Sequence, residues 1–84
     1  MHEQELRKTI ERFSKSVKHH RQNNGMTQNA LSEKSGVNIY TLRYYERGRV
    51  MPTLYHMISL ARVFGISLDE LVGWEREKEG DVDG

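Results

Sequence analysis

The side chains with the strongest claim to chemistry lie in one run, Thr27 to Gly48, TQNALSEKSGVNIYTLRYYERG, where two arginines stand among three tyrosines. Other chemistries are poorly served. His2, His19, His20 and His56 form no His-x-x-x-His pair, and the consecutive His19 and His20 leave a helix on different sides. No metal site and no cofactor are expected. The chain also has no nucleophile–base set, no phosphate-cradling glycine loop and no carboxylate pair at an active-site spacing, so no catalytic residues are assigned and an enzyme is not expected. With no cysteine there is no disulfide framework and no thiolate ligand, which argues against a small secreted scaffold.

The informative run needs a particular pair of elements to present it. Thr27 is placed to cap a helix over about 28–35, Gly36 supplies the positive φ of a tight turn, and Asn38 is placed to cap a second helix over about 39–47, closed at Gly48. That is the geometry of a helix-turn-helix. Ser32 is small where the two helices approach, with its hydroxyl expected to bond back to its own helix. Val37, Leu42 and Tyr45 are the apolar residues that fasten the second helix to a core. Ile39, Tyr40, Arg43 and Tyr44 are then left facing away from it.

The flanking sequence reads as three more helices. Leu6, Ile10, Phe13 and Val17 form an apolar stripe on a helix of about 3–23, stopped by Asn23-Asn24-Gly25. After a loop over Arg47–Pro52, Thr53 caps a helix of about 54–64 with the stripe Leu54, Met57, Leu60, Ala61 and Phe64, ended by Gly65. Ser67-Leu68-Asp69-Glu70 reads as a capping box, with both side chains satisfying backbone donors, at the start of a helix of about 68–73. The expected fold is all-α, a five-helix domain over 1–74. Residues 75–84 are expected to be an acidic, flexible tail. Met26, Met57 and Phe64 read as core fillers. Ile58, Val63, Val72 and Trp74 are surplus apolar residues, read either as partly buried against the fifth helix or as a dimer seam.

Charge is unevenly divided. Residues 1–74 hold 11 Lys/Arg against 7 Asp/Glu, while 75–84 hold 2 against 5, so a cationic body lies behind the net charge of +1. A polyanionic partner is allowed on that ground. No apolar run approaches the roughly 20 residues that cross a bilayer, and the start lacks a signal-peptide core, so a cytoplasmic protein without membrane association is expected.

The ordered set Arg21, Gly25, Thr27-Gln28, Gly36-Val37-Asn38, Tyr45-Glu46-Arg47-Gly48, Pro52, Leu60-Ala61-Arg62 and Ile66 to Val72 resembles the lambda-repressor-like (XRE) helix-turn-helix domains of phage repressors and Cro proteins. The resemblance covers roughly residues 13–72. It departs from the family at Ser32, where alanine is usual, at His20, where leucine is frequent, and at Ile39 and Tyr40, which are less polar than many reading residues.

The resemblance implies a sequence-specific regulator of transcription, expected to be a repressor that occludes an operator on double-stranded DNA. The protein would be bacterial or phage-encoded and nucleoid-associated when bound. The second helix of the motif would lie in the major groove, with Ile39, Tyr40, Arg43 and Tyr44 at base edges. Arg43 has the donors for guanine O6 and N7, and Ile39 suits a thymine methyl. Thr27, Gln28, Asn38, Arg47 and Arg49 would contact phosphates. Arg21 and Glu46 would form a largely buried salt bridge. A homodimer on DNA is expected, using the fourth- and fifth-helix end. The alternative is a protein-interaction module, such as an antitoxin-type partner of a toxin, that keeps the fold.

Overall fold

The computed structural model describes residues 2–73 as five α-helices joined by short turns. They are α1 His2–Asn23, α2 Gln28–Ser35, α3 Ile39–Arg47, α4 Leu54–Phe64 and α5 Leu68–Val72. The tail beyond Gly73, and with it Trp74, lies outside the described residues. No described helix is long and apolar enough to cross a membrane.

Local chemistry explains where the helices begin. The hydroxyls of Thr27, Thr53 and Ser67 accept from the N–H groups of Ala30, His56 and Glu70, each at 3.0 Å. Asn38 Oδ1 accepts from Tyr40 N–H at 2.8 Å. Each of these bonds satisfies one of the donors that a helix start leaves without an intrahelical partner. At Ser67 only the serine half of the expected capping box is made: no bond runs from the Glu70 carboxylate back to the cap.

Left-handed glycines close the helices, and two of them matter for the site. Gly36, at φ 79°, turns the chain between α2 and α3. Gly48, at φ 70°, donates to the Tyr45 carbonyl, while the next N–H, of Arg49, reaches the Tyr44 carbonyl at 3.0 Å. Arg47 is thereby the last residue of α3 rather than part of the loop, which starts at Gly48.

The core gathers Phe13 and Val17 of α1, Leu31 of α2, Val37 of the turn, Leu42 and Tyr45 of α3, Leu60, Ala61 and Phe64 of α4, and Leu71 of α5. Met26, Met57, Val63 and Ile66 pack around it. Phe13 meets Tyr45 edge-on with centroids 5.4 Å apart, and half-buried His20 lies over Phe64 at 5.5 Å.

Two apolar stripes run past the core. Leu6 is 52% exposed and Leu54 is 60% exposed, although both lie on the inward side of their helices by spacing. All of residues 2–9 are exposed, so the first turns of α1 extend beyond the elements it packs on. Leu54 is the first residue of α4, one turn before Met57 reaches a neighbour. Ser32 also departs from expectation. Its hydroxyl donates across the turn to the Val37 carbonyl at 2.6 Å instead of back along α2, so it ties the two helices of the motif together.

The stripes differ in consequence as well as position. Leu60→Ala, at a site with no exposure, is expected to cost about 2–5 kcal/mol of folding stability, whereas Leu54→Ala should stay within about 0.5 kcal/mol. Urea denaturation monitored by circular dichroism measures both.

Candidate nucleic-acid interface

Position 39 onward is set by what α3 buries. Leu42 has no exposure and Tyr45 is 2% exposed, and the Tyr45 hydroxyl is hydrogen-bonded to His56 Nδ1 of α4 at 2.6 Å. That pins α3 at its middle and at its C-terminal end. The four residues expected to face away from the core do so unequally. Tyr40 and Tyr44 are 66% and 50% exposed, and Ile39 and Arg43 are half-buried. Arg43 and Tyr40, three residues apart, make a cation–π contact, with the guanidinium carbon 5.7 Å from the ring centroid. Arg47 and Arg49 are exposed beyond them.

The charge presented by residues 34–68 depends on one buried residue. Residues 34–68 contain Lys34, Arg43, Arg47, Arg49 and Arg62 but a single carboxylate, Glu46. Glu46 is 4% exposed and is turned inward. Over this whole stretch the surface therefore presents cations and no exposed carboxylate. The depletion lies in the sequence of this stretch, and burial of Glu46 completes it.

Inward, Glu46 is held by a set of donors. Arg21 Nε reaches its Oε2 at 2.7 Å, and Arg21 Nη2 reaches Oε1 at 3.0 Å. The remaining guanidinium arm, Nη1, donates to the Met26 carbonyl at 2.9 Å. Gln28 Nε2 donates to the same Glu46 Oε1 at 3.0 Å. The buried Ser14 hydroxyl, also on α1, donates to the Glu46 backbone carbonyl at 2.7 Å. Side-chain exposure of 13% for Arg21 and 2% for Glu46 places this pair largely out of water. Such a pair fixes geometry more than it stabilises, because desolvation offsets much of the attraction. Among the described residues every buried side-chain nitrogen and oxygen has a partner.

The structure thus brings Arg21, Gln28 and Glu46 into contact, and puts Ile39, Tyr40, Arg43, Tyr44 and Arg47 along one helix. Thr27 and Asn38 are exposed at the starts of α2 and α3. Their oxygens already accept backbone N–H groups, which leaves the Thr27 hydroxyl proton and the Asn38 amide nitrogen free to donate. Ile58, Val63 and Val72 are all half-buried, and Val63 packs on the core. More exposed apolar side chains lie elsewhere, at Val50, Met51, Leu54 and Tyr55. Ser14 is the contributor that sequence reasoning missed. A serine one residue after an inward Phe gives no signal of a buried bond to a helix 32 positions away.

Comparison with known proteins agrees with this geometry. Residues 17–71 match the sequence profile of the helix-turn-helix family HTH_3. An uncharacterized HTH-type transcriptional regulator of Archaeoglobus fulgidus is 35% identical over 54 residues, 64% of this chain and 77% of that protein. The cryptic phage CTXphi transcriptional repressor RstR of Vibrio cholerae is 28% identical over 57 residues, 67% of this chain but 51% of the repressor. Among solved structures, the restriction-modification controller protein C.AhdI of Aeromonas hydrophila superposes with a TM-score of 0.70 at 26% identity, covering 74% of this chain and 94% of the controller. With its α2–turn–α3 geometry and a family match that runs from α1 into α5, the chain belongs to the lambda-repressor-like helix-turn-helix family of transcriptional regulators.

Proposed function

We propose that residues 2–73 form a DNA-binding domain that reads a specific operator in double-stranded DNA, with α3 in the major groove, and that it represses by occluding that site. The observation that carries this reading is the outward face of α3. Exposed Tyr40 and Tyr44, with half-buried Arg43 between them, lie on a helix pinned at both Leu42 and Tyr45, in a stretch of chain, residues 34–68, whose one carboxylate, Glu46, is buried. A duplex repels exposed carboxylates and rewards arginines, so this surface suits the phosphate-lined groove.

Roles follow from donors and shape. Arg43 pairs with guanine O6 and N7, its guanidinium carbon 5.7 Å from the Tyr40 ring centroid. Ile39 meets a thymine methyl, and Tyr44 reaches a base edge or phosphate through its hydroxyl. Arg47 and Arg49 neutralise phosphates. Thr27, Gln28 and Asn38 donate to phosphates near the starts of α2 and α3. A monomer spans few base pairs, so we place two copies with reading helices about 34–36 Å apart on one face of the duplex. Ile58, Val63 and Val72, with Trp74, are the seam proposed for that dimer. A protein-interaction module is the second reading. The exposed Met51, Leu54 and Tyr55 favour it, since solvent-facing apolar residues this close in sequence fit a protein surface.

Selection of sites from random duplexes, followed by titration of variants, tests the reading. Arg43→Ala is expected to narrow the preference for guanine at one position in each half-site by about 1–3 kcal/mol. Arg49→Ala should instead weaken all duplexes alike and reduce the slope of log affinity against log salt by about 1. Absence of any enriched sequence, with binding insensitive to salt, would move the assignment to the interaction module.

A further inference from the structure

We propose that Glu46 is the positioning residue for Gln28, so that one buried carboxylate sets both the seat of the reading helix and the pose of the side chain that grips a phosphate. The inference rests on the phosphate-contacting role given to Gln28 above. By its place at the start of α2, Gln28 is an outward residue with three rotatable bonds. Yet the structure holds it half-buried, with Nε2 donating to Glu46 Oε1 at 3.0 Å. An ionised carboxylate only accepts, so it dictates which end of the amide turns inward. The nitrogen faces Glu46 with one N–H, and the second N–H is left to donate outward. Rotamer freedom that a solvated glutamine loses on binding DNA is here lost on folding, which lowers the cost of the contact.

The same pair also holds the backbone from which Gln28 springs. Arg21 donates to Glu46 Oε1 and Oε2, and its third bond goes to the Met26 carbonyl, two residues before Gln28. The turn into α2 and the first side chain of α2 are thus tied to one guanidinium–carboxylate pair. Glu46 lies on α3, three residues after Arg43, so a phosphate held by Gln28 and a base read by Arg43 are registered through a few rigid bonds. Truncation of Glu46 alone would leave Arg21 buried and uncompensated. Arg21→Met with Glu46→Met instead removes the carboxylate while keeping apolar volume, a replacement that buried ion pairs often tolerate.

Gln28→Met is made in the native chain and in that apolar-pair background, and each is titrated with a selected duplex and an unrelated one. In the native chain it is expected to weaken both duplexes by about three- to ten-fold. The salt slope should not change, because Gln28 carries no charge. In the apolar-pair background it should cost nothing further. An equal loss in both backgrounds would leave Gln28 as a phosphate contact and overturn its positioning by Glu46. No loss in either would overturn the contact and the positioning together. If the apolar pair fails to fold, hydrogen exchange of the Gln28 side-chain amide in the native chain decides the matter. Exchange slower than at the exposed Gln22 supports the proposal, and equal exchange overturns it.

Discussion

A carboxylate with almost no exposure holds the motif together. Glu46 takes three side-chain donors, two from α1 and one from α2, while its own carbonyl takes a hydroxyl from the buried Ser14. Removing two charges from water is costly, and the gain from their attraction roughly cancels it. What survives the cancellation is direction. A bidentate guanidinium–carboxylate contact tolerates little rotation, so α1, the turn into α2 and the end of α3 share one orientation.

The rest of the fold serves that orientation. Phe13 packs edge-on against Tyr45 and Tyr45 bonds to His56, so α3 is restrained from α1 and α4, while Ser32 of α2 bonds to Val37 in the turn that leads into it. Side-chain caps at Thr27, Asn38 and Thr53 begin the helices at defined residues, and left-handed Gly36 and Gly48 end α2 and α3 before their stripes lose the core. A helix held this firmly presents Tyr40, Arg43 and Tyr44 without the ordering cost that a loop would bring. Turning Glu46 inward serves the outward face as well. It removes the one carboxylate in residues 34–68 that would repel a polyanion.

Much of this was legible in the sequence. Apolar stripes on α1 and α4, Thr/Asn/Ser caps and terminating glycines define the helices, and the alternation of Leu42 and Tyr45 with Tyr40, Arg43 and Tyr44 separates the two sides of α3. The salt bridge between Arg21 and Glu46 was expected from the family resemblance. What escaped has common physical causes. Periodicity tells which face of a helix is apolar but not where its neighbours end, so Leu6 and Leu54 were expected inside and stand exposed. Hydrogen bonds between distant segments carry no local signature, which is why Ser14 went unnoticed and why the bond from Gln28 to Glu46 was not expected. Ser32 had two acceptors within reach, and only the packed turn decides between them.

We place the outward face of α3 against the duplex. Amide chemical shifts followed by NMR during titration with a selected duplex at low salt test it most directly. Shifts should concentrate at Gln28, Asn29 and Ile39–Tyr44, while exposed residues 2–9 of α1 stay unchanged. Shifts confined to Val50–Tyr55 or to α5, with Ile39–Tyr44 unmoved, would contradict it.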